Sequence, residues 1–319
     1  MSGSYKSIDY RVRPGKSIER KMLAESFRRL VFFRALEDYC YIGMGSLYFA
    51  DFSLFHRSLG FRSMVSIEDC GDATIQRRFK ANAPFGNIAM EFGRAGAVLQ
   101  RFESWKQSPS IIWLDYDGKL SAECLSDLEY VASNAASGTV LIVSVNADRL
   151  SLVNPYDDEG NEIDEASLAP LEILEKNVKK DRIPLGLESR DLSGWGISNA
   201  YRNVIDAAIR KGSTLHASNN LGYEQIYNFQ YNDGAKMLTV GGVLFSADER
   251  SKFENARFED IDYIRKEQDA YRIDPPKLTY TEMRAINSHT PNLPLPPSDI
   301  EKFQRTYRYF PHFIEAEVG

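Results

Sequence analysis

The sequence predicts an α/β fold, a doubly wound sheet of seven mostly parallel strands that ends in an antiparallel hairpin. Five apolar runs between positions 39 and 147 are continuous rather than alternating, as in strands that are buried on both faces. Helical stretches separate these runs, and this β-α-β order favours right-handed crossovers in an open sheet. Two further apolar strands at 225–246 flank Asp233-Gly234, which is a strong hairpin signal.

The composition limits the class of protein. The chain has 319 residues, of which 43% are hydrophobic, enough for one large α/β domain with extensions. Its net charge of −6 creates no overall field that attracts nucleic acid. Three single cysteines favour a reducing, cytoplasmic location over a disulfide framework or a zinc site. The sequence shows neither a secretory apolar segment nor an apolar run of about 20 residues, so we predict no membrane association.

An N-terminal extension with a lid helix, residues 1–37, precedes the first strand. Apolar residues recur at helical spacing from Lys16 to Leu36, and Ser17 is the predicted N-cap. Basic side chains, among them Arg13 and Lys16, gather at the start of this helix. They either contact an anionic group of a ligand or form a solvated basic helix start, and we favour the solvated start.

The central domain, residues 38–246, contains the sheet. Its five apolar runs lie at 39–45, 63–69, 87–93, 110–118 and 139–147, with helices at 47–59 and 121–135. An insertion at 150–195 is rich in charge and turn residues and carries a helix near 165–180. A helix at 195–212 ends at Gly212 as its C-cap, and the hairpin follows. Residues 247–319 are polar and partly Pro-rich, and we predict a C-terminal appendage that packs on the core.

The loop after the first strand is the predicted binding loop, because ligands of open parallel sheets bind at the carboxyl ends of the strands. Gly43 and Gly45 allow the backbone to approach a ligand closely. Glu68 ends the second strand, about 23 residues after Gly45, near the spacing expected of an acid that binds a ribose diol. Tyr48 replaces the third glycine of a dinucleotide motif, which favours a ligand without phosphates.

Three stretches of the sequence carry a resemblance to a known family: YIGMGSLYFADFSLFHRSLG, SIE and WLDYDG. They resemble the motifs of class I S-adenosylmethionine-dependent methyltransferases over about residues 38–245, and the terminal hairpin distinguishes this fold from a Rossmann dehydrogenase. More narrowly, the chain resembles a bacterial family described as "putative O-methyltransferases". The resemblance implies S-adenosylmethionine as cofactor and methyl transfer to an oxygen. It leaves the acceptor, a small molecule or a macromolecule, open.

The resemblance also assigns residues at the ends of the first four strands to the cofactor. They are Gly43, Gly45 and Ser46 at the methionine portion, Glu68 at the ribose, Glu91 and Phe92 at the adenine, and Asp115 facing both cofactor and acceptor. Asp69 is also among the predicted cofactor-binding residues.

Acidic residues at the ends of the fourth and fifth strands carry the predicted chemistry. Asp115 and Asp117 flank a tyrosine and are the predicted catalytic residues, as general bases for an acceptor hydroxyl. Asn146 and Asp148 follow the next strand, so that the four side chains could converge as oxygen ligands of Mg²⁺. This set is similar to that of cation-dependent catechol-type O-methyltransferases, although Asn-Ala-Asp replaces their Asp-Asn pair. The alternative is a turn at Asp117-Gly118 and a cap at Asp148.

Three other functions stay open at this point. A second basic stretch with Arg77, Arg78 and Lys80 would suit a nucleic-acid acceptor, although the chain lacks the prolines with which DNA amino-methyltransferases grip a flipped base. The imperfect glycine loop also fits a non-catalytic methyltransferase-like subunit of a larger assembly, which would have a protein partner. A nucleotide-using enzyme would employ Glu68 equally well.

Overall fold

The computed structural model describes residues 13–157, 159–215 and 221–310, and these residues contain eight strands. The strands are β1 Cys40–Gly43, β2 Ser63–Glu68, β3 Ile88–Phe92, β4 Ser110–Asp115, β5 Thr139–Asn146, β6 Leu221–Asn232, β7 Lys236–Ser246 and β8 Tyr271–Ile273. All eight belong to one sheet in the order β3-β2-β1-β4-β5-β7-β6-β8.

The first five strands are parallel, and the hairpin β6–β7 joins them through antiparallel pairing of β7 with β5. This arrangement confirms the predicted doubly wound sheet and its terminal hairpin. The strand order reverses at β1, which lies between β2 and β4. The carboxyl ends of these three strands therefore meet at one edge, where open sheets of this kind bind their ligands.

The sheet has eight strands rather than the predicted seven. β8 pairs in parallel with β6, with Phe229 opposite Tyr271 and Tyr231 opposite Ile273. A three-residue strand is too short to produce a periodic pattern in the sequence. Because β8 lies within the segment predicted as a C-terminal appendage, that segment continues the sheet.

The described residues also form ten α-helices. They are α1 Pro14–Phe27, α2 Ala50–Leu59, α3 Ala73–Asn82, α4 Ala95–Arg101, α5 Ala122–Asn134, α6 Pro170–Val178, α7 Gly196–Ser213, α8 Arg250–Ala256, α9 Tyr280–Ser288 and α10 Pro297–Thr306. None of these helices combines the length and the apolar composition needed to cross a membrane.

Each face of the sheet is covered by its own hydrophobic core. One core lies between the sheet and the helices α4 to α7, with Leu125 and Tyr201 among its fully buried side chains. The other lies between the sheet, α1, α2 and the C-terminal segment, and it contains Phe27, Phe55 and Phe303. The N-terminal and C-terminal segments thus share one core with the sheet.

The start of α1 differs from the prediction. The helix begins at Pro14 rather than after Ser17. The amides of Gly15 and Lys16 donate hydrogen bonds to the two oxygens of Asp233, at 3.1 and 2.8 Å. Asp233 belongs to the β6–β7 turn, and its carboxylate pairs two of the amides that the first turn of a helix leaves without partners. The cap of α1 therefore comes from a residue more than 200 positions away.

The end of α1 and the end of α7 also differ from the predictions. The α-helix stops at Phe27, and a short 3₁₀ turn, Arg28–Phe32, follows where the helical pattern continues to Leu36. Gly212 lies inside α7 rather than after it. A Cβ atom at this position would lie 2.5 Å from the Glu129 carbonyl oxygen of α5, so the glycine permits close packing of the two helices.

Candidate active site at the carboxyl edge of the sheet

The loop after β1 and the end of β2 are joined by a small hydrogen-bond network. The amide of Gly45 donates to Ser66 Oγ at 3.0 Å, and the amide of Ser46 donates to Glu68 Oε1 at 2.8 Å. The Ser66 hydroxyl donates to the same Glu68 oxygen at 3.0 Å. The structure thus brings together three residues that the sequence predicts for one site: Gly45, Ser46 and Glu68.

Packing within the loop requires both of its glycines. A Cβ atom on Gly43 would lie 2.5 Å from the Tyr41 hydroxyl, and one on Gly45 would lie 2.6 Å from the Phe49 ring. Ser46 and Phe49 both have left-handed backbone conformations, with φ of 55° and 46°, which are uncommon for residues other than glycine. The loop is therefore a tightly packed and strained turn.

Glu68 is an unusual carboxylate because it is only 9% exposed. Burial raises its pKa to about 7, against the opposing effect of the hydrogen bonds from Ser66 and Ser46. The carboxylates of Asp51 and Asp117 raise the pKa further, as neighbouring negative charges do.

The residues predicted to border an adenine lie next to Glu68 in the sheet. Phe92 of β3 is opposite Glu68 of β2. Glu91 forms an ion pair with Arg101 at 2.9 Å, and Arg101 also donates to the Phe92 carbonyl at 2.8 Å. The adjacent Asp69 is exposed to solvent. The assignment of Glu91, Phe92 and Asp69 to the cofactor stays a prediction.

Asp115 ends β4 and is held by a lysine from α1. Lys16 Nζ lies 2.8 Å from Asp115 Oδ1 and 3.0 Å from Glu19 Oε2, and it sits 4.2 Å from the centre of the Trp113 ring. Lys16 is only 3% exposed. The favoured prediction of a solvated basic helix start is therefore wrong for Lys16, because this part of α1 packs on the sheet.

Sequence reasoning missed two buried acidic residues, one in α1 and one in α2. Glu19 is fully buried, and Tyr231 donates a hydrogen bond to its Oε2 atom at 3.1 Å. Asp51 is also buried; it accepts a hydrogen bond from the Tyr41 hydroxyl, and burial raises its pKa. For Glu19 the sequence did contain a signal. Lys16, Glu19 and Arg20 continue, at helical spacing, the apolar stripe that Leu23 and Phe27 form on one face of α1, which predicts their burial.

The residues predicted to bind Mg²⁺ are not grouped as a metal site in the described part of the chain, and lysine side chains contact three of the four. Lys16 pairs with Asp115. Asn146 Oδ1 accepts hydrogen bonds from Lys119 Nζ at 2.7 Å and from the Asp148 amide at 3.0 Å. Lys236 Nζ lies 4.0 Å from Asp148. Throughout the part of the chain that the structure describes, no three His, Cys, Asp or Glu side chains are grouped to hold a metal ion.

Comparison with protein families shows the family of the chain. A family model described as "Putative O-methyltransferase" matches residues 8–318. The chain belongs to this family. It is accordingly an S-adenosylmethionine-dependent methyltransferase with the class I fold, as the motif resemblance predicts. A search of curated proteins gives no match.

Solved structures with a similar fold come from several organisms. A fibrillarin pre-rRNA processing protein of Methanococcus jannaschii is 13% identical, over 65% of this chain and 67% of its own, with a TM-score of 0.35. An O-methyltransferase family protein of Burkholderia thailandensis is 11% identical over 68% of this chain, with a TM-score of 0.32. A protein of Listeria monocytogenes described as a "putative S-adenosylmethionine dependent methyltransferase" is 9% identical, over 72% of this chain and all of its own, with a TM-score of 0.40. The match spans about half, 53%, of the Burkholderia chain.

The residues of the edge fit an adenosyl ligand. The Ser46 hydroxyl oxygen is buried and has no hydrogen-bond partner among the described residues. A buried polar atom without a partner costs free energy, so it favours a ligand that supplies one. The neighbouring Glu68 carboxylate is an acceptor for hydroxyl donors such as those of a ribose. Both groups lie at the strand ends where this fold binds its ligands.

Proposed function

We propose that the Gly43–Ser46 loop and Glu68 hold S-adenosylmethionine, and that Asp115 and Asp117 serve an oxygen acceptor beside it. The observation that supports the proposal most strongly is the hydrogen bond between the Ser46 amide and the buried Glu68 carboxylate. It fixes an acid of raised pKa against the binding loop, at the switch point of the sheet. When bound, the cofactor supplies an electrophilic methyl group on a sulfonium.

The two aspartates after β4 differ in their surroundings. Asp115 is held by Lys16, whereas Asp117 is exposed on the turn that follows the strand. A carboxylate at this position can accept the proton of an acceptor hydroxyl while the hydroxyl oxygen attacks the methyl group. We assign this role to one of the two aspartates. Positioning supplies much of the remaining acceleration.

The insertion after β5 is the proposed acceptor side of the site, as a lid or a protein interface. A half-open cavity of about 350 Å³ lies between this segment and the start of α7. Its walls include Leu150, Leu168 and Ile197, and Asp148 and Lys236 lie among the lining residues. A cavity whose walls are partly apolar and partly charged suits a small organic acceptor that carries polar groups. The three cysteines are free, which supports the proposed cytoplasmic location.

Titration calorimetry with S-adenosylmethionine tests the cofactor site. We expect Glu68→Ala to weaken binding more than tenfold, since hydrogen bonds to a charged acceptor contribute about 1.5–3 kcal/mol each. Glu37→Ala is the matched control, because Glu37 forms an exposed ion pair with Arg62 before β1. Equal affinities of wild type and Glu68→Ala would contradict the assignment. Binding of NADH in place of S-adenosylmethionine would favour a nucleotide-using enzyme instead.

A further inference from the structure

The ion pair between Lys16 and Asp115 joins two elements that are 99 positions apart in the chain. Lys16 is almost completely buried, whereas the Asp115 side chain is 22% exposed. The pair therefore has one side inside the protein, under α1, and one side open toward the carboxyl edge of the sheet. A buried ion pair is often less stabilising than apolar side chains of similar volume. Its presence at a binding edge calls for a reason other than stability.

The position of Lys16 is fixed from several directions. Asp233 holds its backbone amide, Glu19 holds its ammonium group, and Tyr231 in turn holds Glu19. The Trp113 ring lies beneath the ammonium group, a favourable cation–π contact. The lysine is thus preorganised, and little side-chain entropy remains to be lost when a ligand binds.

Both members of the pair have binding capacity left. A lysine ammonium group has three N–H donors, and the contacts with Asp115 and Glu19 occupy two of them. Asp115 uses Oδ1 for Lys16, and a carboxylate offers about four lone-pair directions. Glu19 Oε1 is buried without a hydrogen-bond partner in the described part of the chain, which marks this polar cluster as incomplete.

The pair lies beside the proposed cofactor loop. In the parallel pairing of β1 with β4, Ile42 is opposite Ile112. Gly43 and Trp113 follow at the same level, and Asp115 lies two residues further toward the ligand edge. Neighbouring strands are about 4.8 Å apart. The carboxyl end of β4 is therefore next to the part of the loop to which the resemblance assigns the methionine portion of the cofactor.

We propose that Lys16 and Asp115 form a clamp for the zwitterionic α-amino acid group of the cofactor. The Lys16 ammonium group would bind the ligand carboxylate, and the Asp115 carboxylate would bind the ligand ammonium group. The ligand adds one positive and one negative charge to a pair of the same composition, so the four charges alternate and the net charge of the cluster is unchanged. This inference rests on the proposed function, and it leaves Asp117 as the carboxylate that serves the acceptor.

Two related ligands separate the clamp from the rest of the cofactor site. S-adenosylhomocysteine carries the amino acid group, and 5′-methylthioadenosine has the same adenosine and sulfur but lacks that group. Titration calorimetry measures both against wild type, Lys16→Met and Asp115→Asn. We expect each substitution to lower the affinity for S-adenosylhomocysteine about tenfold or more. The affinity for 5′-methylthioadenosine should stay within about twofold of the wild-type value. Lys302→Met, which removes an exposed lysine of α10 paired with Asp274, should change neither affinity.

The possible results have distinct meanings. If Lys16→Met leaves the affinity for S-adenosylhomocysteine unchanged, the clamp is wrong. The clamp is also wrong if this substitution increases the affinity, because Lys16 then competes with the ligand ammonium group for Asp115. The clamp is equally wrong if wild type binds the two ligands with the same affinity. If wild type binds neither ligand, or Glu68→Ala has no effect on 5′-methylthioadenosine, the proposed function fails and not only the clamp.

A folding control keeps the test decisive. If Lys16→Met does not fold, Asp115→Asn carries the test alone, because it leaves Lys16 paired with Glu19. Lys16→Arg retains the charge and is expected to recover part of the affinity for S-adenosylhomocysteine, with a different hydrogen-bond geometry.

Discussion

The two acids that end β2 and β4 lie at the same edge of the sheet but are stabilised in different ways. Glu68 is surrounded by neutral donors from its own β1–β2 unit, the Ser46 amide and the Ser66 hydroxyl. Asp115 is paired with a full positive charge, Lys16, from a helix outside that unit. One half of the site is therefore built within the β1–β2 unit, whereas the other half exists only when α1 is packed on the sheet.

The Asp115 half should be the more fragile of the two. Lys16→Met leaves the buried Glu19 and the partly buried Asp115 without their shared cation. Removing one partner of a buried ion pair typically costs about 3–5 kcal/mol, within the stability of an ordinary domain. Urea unfolding should show a loss of about 3 kcal/mol for Lys16→Met, against less than about 0.5 kcal/mol for the exposed Lys302→Met. Equal midpoints for the two variants would show that the pair contributes nothing to folding.

The Glu68 half should respond to pH instead. The pKa of Glu68 is raised to about 7 in the folded protein from 4.5, so between these values the folded state binds more protons than the unfolded state. The stabilisation from this group is present below about pH 4.5 and is lost as the pH rises through about 7, by up to about 3 kcal/mol. Glu68→Gln cannot titrate, so unfolding free energies measured from about pH 5 to pH 8 should fall more steeply for wild type. Parallel pH profiles would contradict the buried state of Glu68.

The smallest expected effect concerns the long-range cap of α1. Asp233→Ala removes the acceptor of the Gly15 and Lys16 amides, and loss of a helix cap costs about 1 kcal/mol. Asp72→Ala is a matched control, because Asp72 caps α3 through the amides of Thr74 and Ile75 within its own turn.

Both cap variants should lose similar free energy of unfolding, but they should differ in hydrogen exchange. Asp233→Ala should speed amide exchange at the start of α1 and leave α3 unchanged, and Asp72→Ala should do the reverse. Unchanged exchange in α1 after Asp233→Ala would mean that the β6–β7 turn does not hold this helix in place.

The same contrast explains what the sequence could predict. The five apolar runs and the Asp233-Gly234 turn predict the parallel strands and the hairpin, because strand burial and turn type depend on neighbouring residues. The spacing of Gly45 and Glu68 predicts a contact that the fold produces through adjacent strands. β8 has only three residues, which is too few for a pattern to be recognised.

The Asp115 side shows why the rest could not be predicted. Asp115 is paired with Lys16, and Asp233 caps the helix that carries Lys16 by accepting a hydrogen bond from the Lys16 amide. No local rule connects three residues so far apart. The predicted metal site failed for the same reason, since lysines from α1 and from the start of β7 approach Asp115 and Asp148. Charged residues inside the apolar stripe of α1 were the one available hint.

A crystal structure of the protein with S-adenosylhomocysteine tests most directly whether this edge of the sheet binds the cofactor. We predict that the ribose hydroxyls contact Glu68, beside the Gly43–Ser46 loop, and that the amino acid group lies between Lys16 and Asp115. Density for the ligand at another place, with the Glu68 and Lys16 contacts unchanged, would contradict the assignment of this edge as the cofactor site.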